Sequence, residues 1–167
     1  MTSIFGACAK IEMMAESHRQ SLYLDSNIFI DAYEGEPSLS ELAKNLLERL
    51  RTRLGIAITS ELSLAEVLVR PEAERDLTRK RAYLDLLVWS GVVNLIHVTR
   101  NLLYETAKLR AAHPTRLRLA DSIHLATAVV HRCRIFVSRD KHITPPAGML
   151  QMQPDRDGVD AIVAAVG

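Results

Sequence analysis

Cysteine is nearly absent from this chain of 167 residues: only Cys8 and Cys133 occur. Two thiols so far apart form no disulfide framework and no zinc or redox spacing, and a reducing cytosol is the compartment they imply. Long apolar runs are missing too. No stretch approaches the roughly 20 residues of a membrane-spanning helix. The first 20 residues lack the basic start of a secretory leader, and Lys10 and Glu12 interrupt any apolar run there. Charge of one sign is also lacking. With 21 basic and 20 acidic residues the net charge is +1, so no global field draws the chain toward nucleic acid. There is no internal repeat and no low-complexity stretch.

What is present describes an ordinary soluble domain. The length suits one domain with a real core, and 48% hydrophobic with 25% charged residues is the usual balance. The basic residues are unusual in kind, because 16 of the 21 are arginine. The planar guanidinium suits phosphates and carboxylates alike, which leaves an RNA backbone and an acidic partner both open.

Periodicity predicts strands alternating with helices. Leu22–Leu24, Ile56–Thr59, Val92–Val98 and Ile135–Val137 read as strands, with Met149–Met152 as a fifth. A helix follows Asp25 through Tyr33. A second is expected from a Ser38/Glu41 capping box, with Leu39, Leu42, Ala43, Leu46, Leu47 and Leu50 on one stripe. A third is expected from Thr59 or Ser60 to Arg70, stopped by Pro71, and a charged one over Glu72–Ser90. Thr99 and Leu119 open two more. This order implies an α/β fold with a central parallel sheet of about four to five strands, covered by helices on both faces.

Four acids stand beside apolar runs: Asp25 and Asp140 at strand ends, Glu66 and Asp121 on helices in line with apolar neighbours. Each has an ordinary structural role open to it. Asp25 can cap a helix, Asp121 can complement a helix dipole, and Asp140 can close a turn. Glu66 can pair with Arg70 at i+4. Glu66 fits its ordinary role least well, because an exposed glutamate belongs on the polar face and this one shares a face with Leu62 and Val69. Carboxylates beside a core are costly unless compensated, and one divalent cation compensates all four most simply. In open parallel sheets, ligands bind beyond the carboxyl ends of the strands, where Asp25 and Asp140 fall. No cysteine or histidine set points to zinc. Arg116 and Arg118, just before Asp121, are candidate phosphate contacts, with a solvated loop as the alternative. His124 reads as a packed or hydrogen-bonded histidine rather than a general base.

The same segments carry a family resemblance. Tyr23-Leu24-Asp25-Ser26-Asn27-Ile28-Phe29-Ile30-Asp31 resembles the opening motif of PIN-domain proteins, and Ala65-Glu66-Val67-Leu68 their second acidic motif. Leu119-Ala120-Asp121-Ser122-Ile123-His124-Leu125-Ala126-Thr127-Ala128 is similar to the third, and Phe136-Val137-Ser138-Arg139-Asp140-Lys141 to the last. The order and approximate spacing hold over residues 22 to 145, and the chain length resembles VapC-type toxins of bacterial toxin–antitoxin pairs. The resemblance implies a PIN-like three-layer fold and a Mg²⁺- or Mn²⁺-dependent ribonuclease. Asp25, Glu66, Asp121 and Asp140 would be its catalytic and metal-holding acids, with Asn27 and Ser138 in support. Asp25 and Asp121 would be the most direct ligands, and one ion or two stays open. It implies an RNA substrate, a cognate antitoxin and a cytoplasmic location. The expected organisation is a flexible extension over residues 1–20, a nuclease domain over 21–153 and a tail over 154–167 with room for a short helix.

Two other readings stand beside it. A non-catalytic RNA- or partner-binding module would keep the acidic crevice without turnover. An aspartate-nucleophile phosphatase would also begin with an aspartate after a strand, but wants a second two residues on, where Asn27 stands. The apolar stripe over Ser38–Leu50, together with Leu77, Leu84, Leu87, Val88 and Trp89, exceeds what a small domain is expected to bury. A homodimer and an antitoxin groove are therefore expected.

Overall fold

A computed structural model describes residues 22–112 and 117–166. The expectations for residues 1–20 and for Arg116 fall outside the described residues. Strand β1 (Leu22–Leu24) leads into helices α1 (Ser26–Glu34) and α2 (Pro37–Leu50), then β2 (Ala57–Ser60). Helices α3 (Leu62–Val67), α4 (Val69–Glu74) and α5 (Leu77–Leu84) follow, and a π-helical turn over Asp85–Trp89 precedes β3 (Val93–Ile96). Helices α6 (Arg100–Ala112) and α7 (Leu119–Val130), strands β4 (Ile135–Val137) and β5 (Leu150–Met152), and helix α8 (Gly158–Ala165) complete the described chain.

The five strands form one sheet in the order β3-β2-β1-β4-β5, and every neighbouring pair is parallel. Side chains alternate across it. Leu22, Leu24, Ala57, Ile135 and Val137 enter one core with α1, α2 and α8, while Tyr23, Ile58 and Phe136 enter another with Leu125 and Ala128 of α7. This explains why β1 reads as an unbroken apolar run: it is buried on both faces. Each such side chain contributes about 1.5–3 kcal/mol by leaving water. Val159, Ile162 and Val163 of α8 are buried in the first core, and Arg49 of α2 forms an ion pair with Asp160 of α8. No helix among the described residues is long and apolar enough to cross a membrane.

Several element boundaries differ from the periodicity. Helix α2 starts at Pro37 rather than after a Ser38 cap, and its N-cap, Glu36, makes no side-chain cap bond. Proline suits the first helical position because the N–H it lacks would have no partner there. The apolar stripe of α2 is taken by the core: Ala43, Leu46, Leu47 and Leu50 are buried and Leu42 is partly so. Pro71 does not stop a helix. It is buried in the first turn of α4, where an imino nitrogen costs nothing, and the break falls at Leu68. The long helix expected over Glu72–Ser90 is divided by Arg75, whose φ of 54° closes α4, and Asp76 then caps α5 by accepting from the Arg79 amide at 2.9 Å. Gly91, at φ +69°, supplies the turn after the π-helical segment that a larger residue would adopt only with strain.

Candidate active site

The register of the two central strands builds the site. Leu24 pairs with Val137, so Asp25 and Ser138 emerge side by side from the carboxyl ends of β1 and β4. The strand order reverses between these strands, since β2 lies on one side of β1 and β4 on the other. Such a switch point opens a crevice above the sheet.

Asp25 is 5% exposed. It is the N-cap of α1, but its Oδ1 accepts only from the adjacent Ser26, from the amide at 2.7 Å and the hydroxyl at 3.4 Å. The usual cap partner is an amide one or two residues further on, so capping does not account for this carboxylate. Its other oxygen accepts from Asn27 Nδ2 at 2.6 Å and from Ser138 Oγ at 2.6 Å. Asn27 Nδ2 also donates to Ser138 Oγ at 3.0 Å, and Ser138 Oγ accepts the Asp140 amide at 3.0 Å. Asn27 and Ser138 thus fix Asp25 in one orientation and tie it to Asp140. Burial pushes the Asp25 carboxyl up, against the charge of His124 and the bonds from Ser138 and Ser26.

Asp121 stands in the first turn of α7. If it served only the helix dipole its carboxyl would sit low. It is pushed up instead, first by burial and then by the charges of Asp140 and Asp25, with Arg118 and His124 opposing. Asp140 does close a turn, accepting the His142 amide at 2.8 Å. It also lines a cleft of about 400 Å³ with Asp121, Arg118, Lys141 and His142. Glu66 does not pair with Arg70, which instead reaches Glu74 at 2.7 Å and Glu34 at 3.3 Å. Its Oε2 lies 2.7 Å from His124 Nε2. Burial alone would raise the Glu66 carboxyl. The hydrogen bond and charge of His124, with a bond from Ser26, outweigh it and leave the group below the usual carboxylate range.

Two contacts were not legible in the sequence. His124, 1% exposed, joins Glu66 to the buried Tyr23 hydroxyl. The motif places His124 one turn after Asp121, but no spacing rule links it to Tyr23, 101 residues away. Asp31, 5% exposed, accepts from Arg139 Nη2 at 2.7 Å. Arg139 Nε also lies 2.5 Å from the other Asp31 oxygen, within the same ion pair. The pair ties α1 to the loop that carries Ser138 and Asp140. The apolar neighbours of Asp31 were the only hint that it is buried.

The four acids offer only oxygen donors, which suits a hard cation such as Mg²⁺ or Mn²⁺. Burial raises the Asp25 and Asp121 carboxyls, with the charges of neighbouring acids adding to it, and a bound cation would relieve both costs. Among the described residues no three His, Cys, Asp or Glu side chains are grouped closely enough to enclose an ion by themselves. Mg²⁺ sites often use only one or two carboxylates and keep several waters, so an open arrangement of this kind still fits.

Comparison with known proteins bears on the family and the fold. A toxin–antitoxin complex from Klebsiella pneumoniae contains a chain 27% identical, with a TM-score of 0.58, covering 78% of this chain and 96% of that one. The VapC20 toxin of Mycobacterium tuberculosis, which cleaves the sarcin–ricin loop, is 17% identical with a TM-score of 0.60, over 72% of this chain and 91% of that one. VapBC2 from Rickettsia felis, bound to a DNA fragment from its promoter, is 16% identical with a TM-score of 0.61, over 79% and 97%. The last two likenesses speak to fold alone. No curated protein matches the chain. Residues 22–147 match the PIN domain family, from the start of β1 to beyond Asp140 and over well more than half of the sequence. The chain belongs to the PIN domain family.

Proposed function

We propose that this protein is a metal-dependent endoribonuclease that hydrolyses RNA phosphodiester bonds, and that it is the toxin half of a type II toxin–antitoxin pair. The observation that carries the reading is the oriented, buried Asp25 carboxylate, which lies within electrostatic reach of Glu66 and of Asp121, itself beside Asp140. Asp25 and Asp121 would hold Mg²⁺ or Mn²⁺, with Glu66 and Asp140 holding its water, a second ion or the proton of the attacking water. The ion would supply Lewis-acid relief of phosphate charge and a more acidic water. The protein's own part is positional. Ser138 and Asn27 keep Asp25 from rotating away, and Arg139 holds the β4 loop against α1. Arg118 and Lys141, beside Asp121 and Asp140 in the cleft, supply positive charge for a substrate phosphate next to the acids. The toxin and ribonuclease roles draw on the Klebsiella pneumoniae complex and on VapC20. A cytoplasmic location goes with an RNA substrate.

Incubation with single-stranded RNA and, separately, with an aryl phosphate monoester in Mn²⁺ tests this reading against the others. Strand scission with the monoester untouched is the expected result. Monoester turnover with intact RNA would support a phosphatase. RNA that is bound but never cut would support a binding module.

The partner surface is narrower than the sequence implied, because α2 spends its stripe on the core. Leu87 is buried as well, but Leu77, Val88 and Trp89 remain 76%, 46% and 61% exposed. We assign this patch, around α5 and the π-helical turn, to a homodimer or an antitoxin helix. Light scattering at high concentration should return a dimer, or a heteromer when the product of the adjacent gene is co-expressed. A strict monomer that captures no neighbour-encoded protein would remove this assignment.

A further inference from the structure

Glu66 is held from behind by two residues that are not among the four acids. Tyr23 lies in the middle of β1, fully buried, with its ring stacked on Phe136 of β4 at a centroid distance of 5.1 Å. Its hydroxyl accepts the Ser60 amide at 3.0 Å and lies 2.6 Å from His124 Nδ1. The opposite nitrogen, His124 Nε2, lies 2.7 Å from Glu66 Oε2. With Ser60 donating to the phenolic oxygen, that hydroxyl keeps its own single proton available for Nδ1. In the tautomer that donates to Glu66, the imidazole carries its proton on Nε2 while Nδ1 accepts from Tyr23. The chain therefore runs in one direction, from the β2 backbone through β1 and α7 to a carboxylate on α3.

This arrangement is more than a satisfied core histidine. Its inner end is anchored to the sheet, at the Ser60 amide of β2. Its outer end is a Glu66 side chain that is 30% exposed, on a helix of six residues. Left alone, a side chain with three rotatable torsions on so short a helix would be free to swing into solvent. Bonded through Oε2 to a buried imidazole, it is held within electrostatic reach of Asp25 with lone pairs to spare. We propose that Tyr23 and His124 are positioning residues for Glu66, a hydroxyl–imidazole relay that fixes this carboxylate and thereby strengthens the binding of a divalent cation. The proposal rests on the metal-dependent reading of the site. Outer-shell partners of this kind typically change metal affinity by about 10–100-fold.

The test uses the full chain and Mn²⁺ alone as probe, by titration calorimetry. Tyr23→Phe keeps the stacked ring and removes only the hydroxyl; Mn²⁺ affinity should fall roughly 10-fold. His124→Ala should cost more, up to about 100-fold. His124→Gln should recover part of the loss, because its amide N–H can still donate to Glu66. Long-range proton–nitrogen NMR of the metal-free protein should find His124 protonated on Nε2, with the tautomers mixed in Tyr23→Phe. That second measurement keeps the proposal open to refutation if His124→Ala fails to fold. A His124 protonated on Nδ1 in the wild type would overturn it. So would variants with lowered melting temperature but unchanged Mn²⁺ affinity, since the relay would then be only structural. A wild-type protein that binds no Mn²⁺ would instead overturn the metal reading itself, and the metal role of the relay with it.

Discussion

Asp25→Asn and Asp121→Asn should each reduce RNA cleavage about 100-fold or more, since outer-shell partners alone typically account for 10–100-fold. Neither should unfold the protein. At position 25 an amide keeps the size of the carboxylate and can still accept from Ser138 and Asn27 through its oxygen. It then turns its NH₂ toward the Ser26 amide, a donor facing a donor, at the place where Oδ1 now accepts. Against that cost stands the relief of a buried charge whose carboxyl is already pushed up. Circular dichroism should therefore stay near the wild-type spectrum and the melt stay cooperative while initial rates collapse. Wild-type rates in both variants would remove these two residues from the chemistry.

Millimolar Mn²⁺ should raise the melting temperature of the wild-type protein. Metal at about 100 times its dissociation constant stabilises the folded state by roughly 2.7 kcal/mol. For a domain of this size that is a shift of about 5–10 °C. The shift should be absent in Asp121→Asn. In EDTA the order reverses near neutral pH, where Asp121→Asn should melt above the wild type. The sign follows from the direction of the carboxyl shift. A carboxyl raised in the folded state contributes its stability below its unfolded pKa, and that contribution is lost as pH rises through the folded pKa. Asp25 and Asp121 are both of this kind. Glu66, lowered, works in the opposite sense: its contribution is present above its unfolded pKa and is lost as pH falls through the folded one. The advantage of Asp121→Asn in EDTA should thus shrink on acidification and vanish below the usual carboxylate range. The Mn²⁺ shift of the wild type should shrink with it, because protons compete for the same oxygens. A melting temperature indifferent to metal at neutral pH would contradict a folded site ready to bind.

The central strands were readable because they obey one rule. Leu22–Leu24 and Ile135–Val137 are buried on both faces, so their apolar runs needed no tertiary information to be placed. The four acids stood out for a related reason: each interrupts or ends an apolar pattern. The helix boundaries between Thr59 and Ser90 were harder. Pro71 is a breaker in a helix interior but harmless in a first turn, and only the break at Leu68 decides which applies. The left-handed turn at Arg75 leaves no glycine to mark it. The link from Tyr23 through His124 to Glu66 is set by the packing of β1, α7 and α3, and no local pattern in any of the three segments encodes it.

The most direct test of the central claim is metal exchange on the intact protein acting on single-stranded RNA. Cleavage in Mn²⁺ should stop on addition of excess EDTA and return when Mn²⁺ is restored above the chelator. It should not return in Asp25→Asn under the same restoration. Cleavage that persists in excess EDTA, or that Asp25→Asn recovers in full, would contradict a metal-dependent nuclease centre built on these acids.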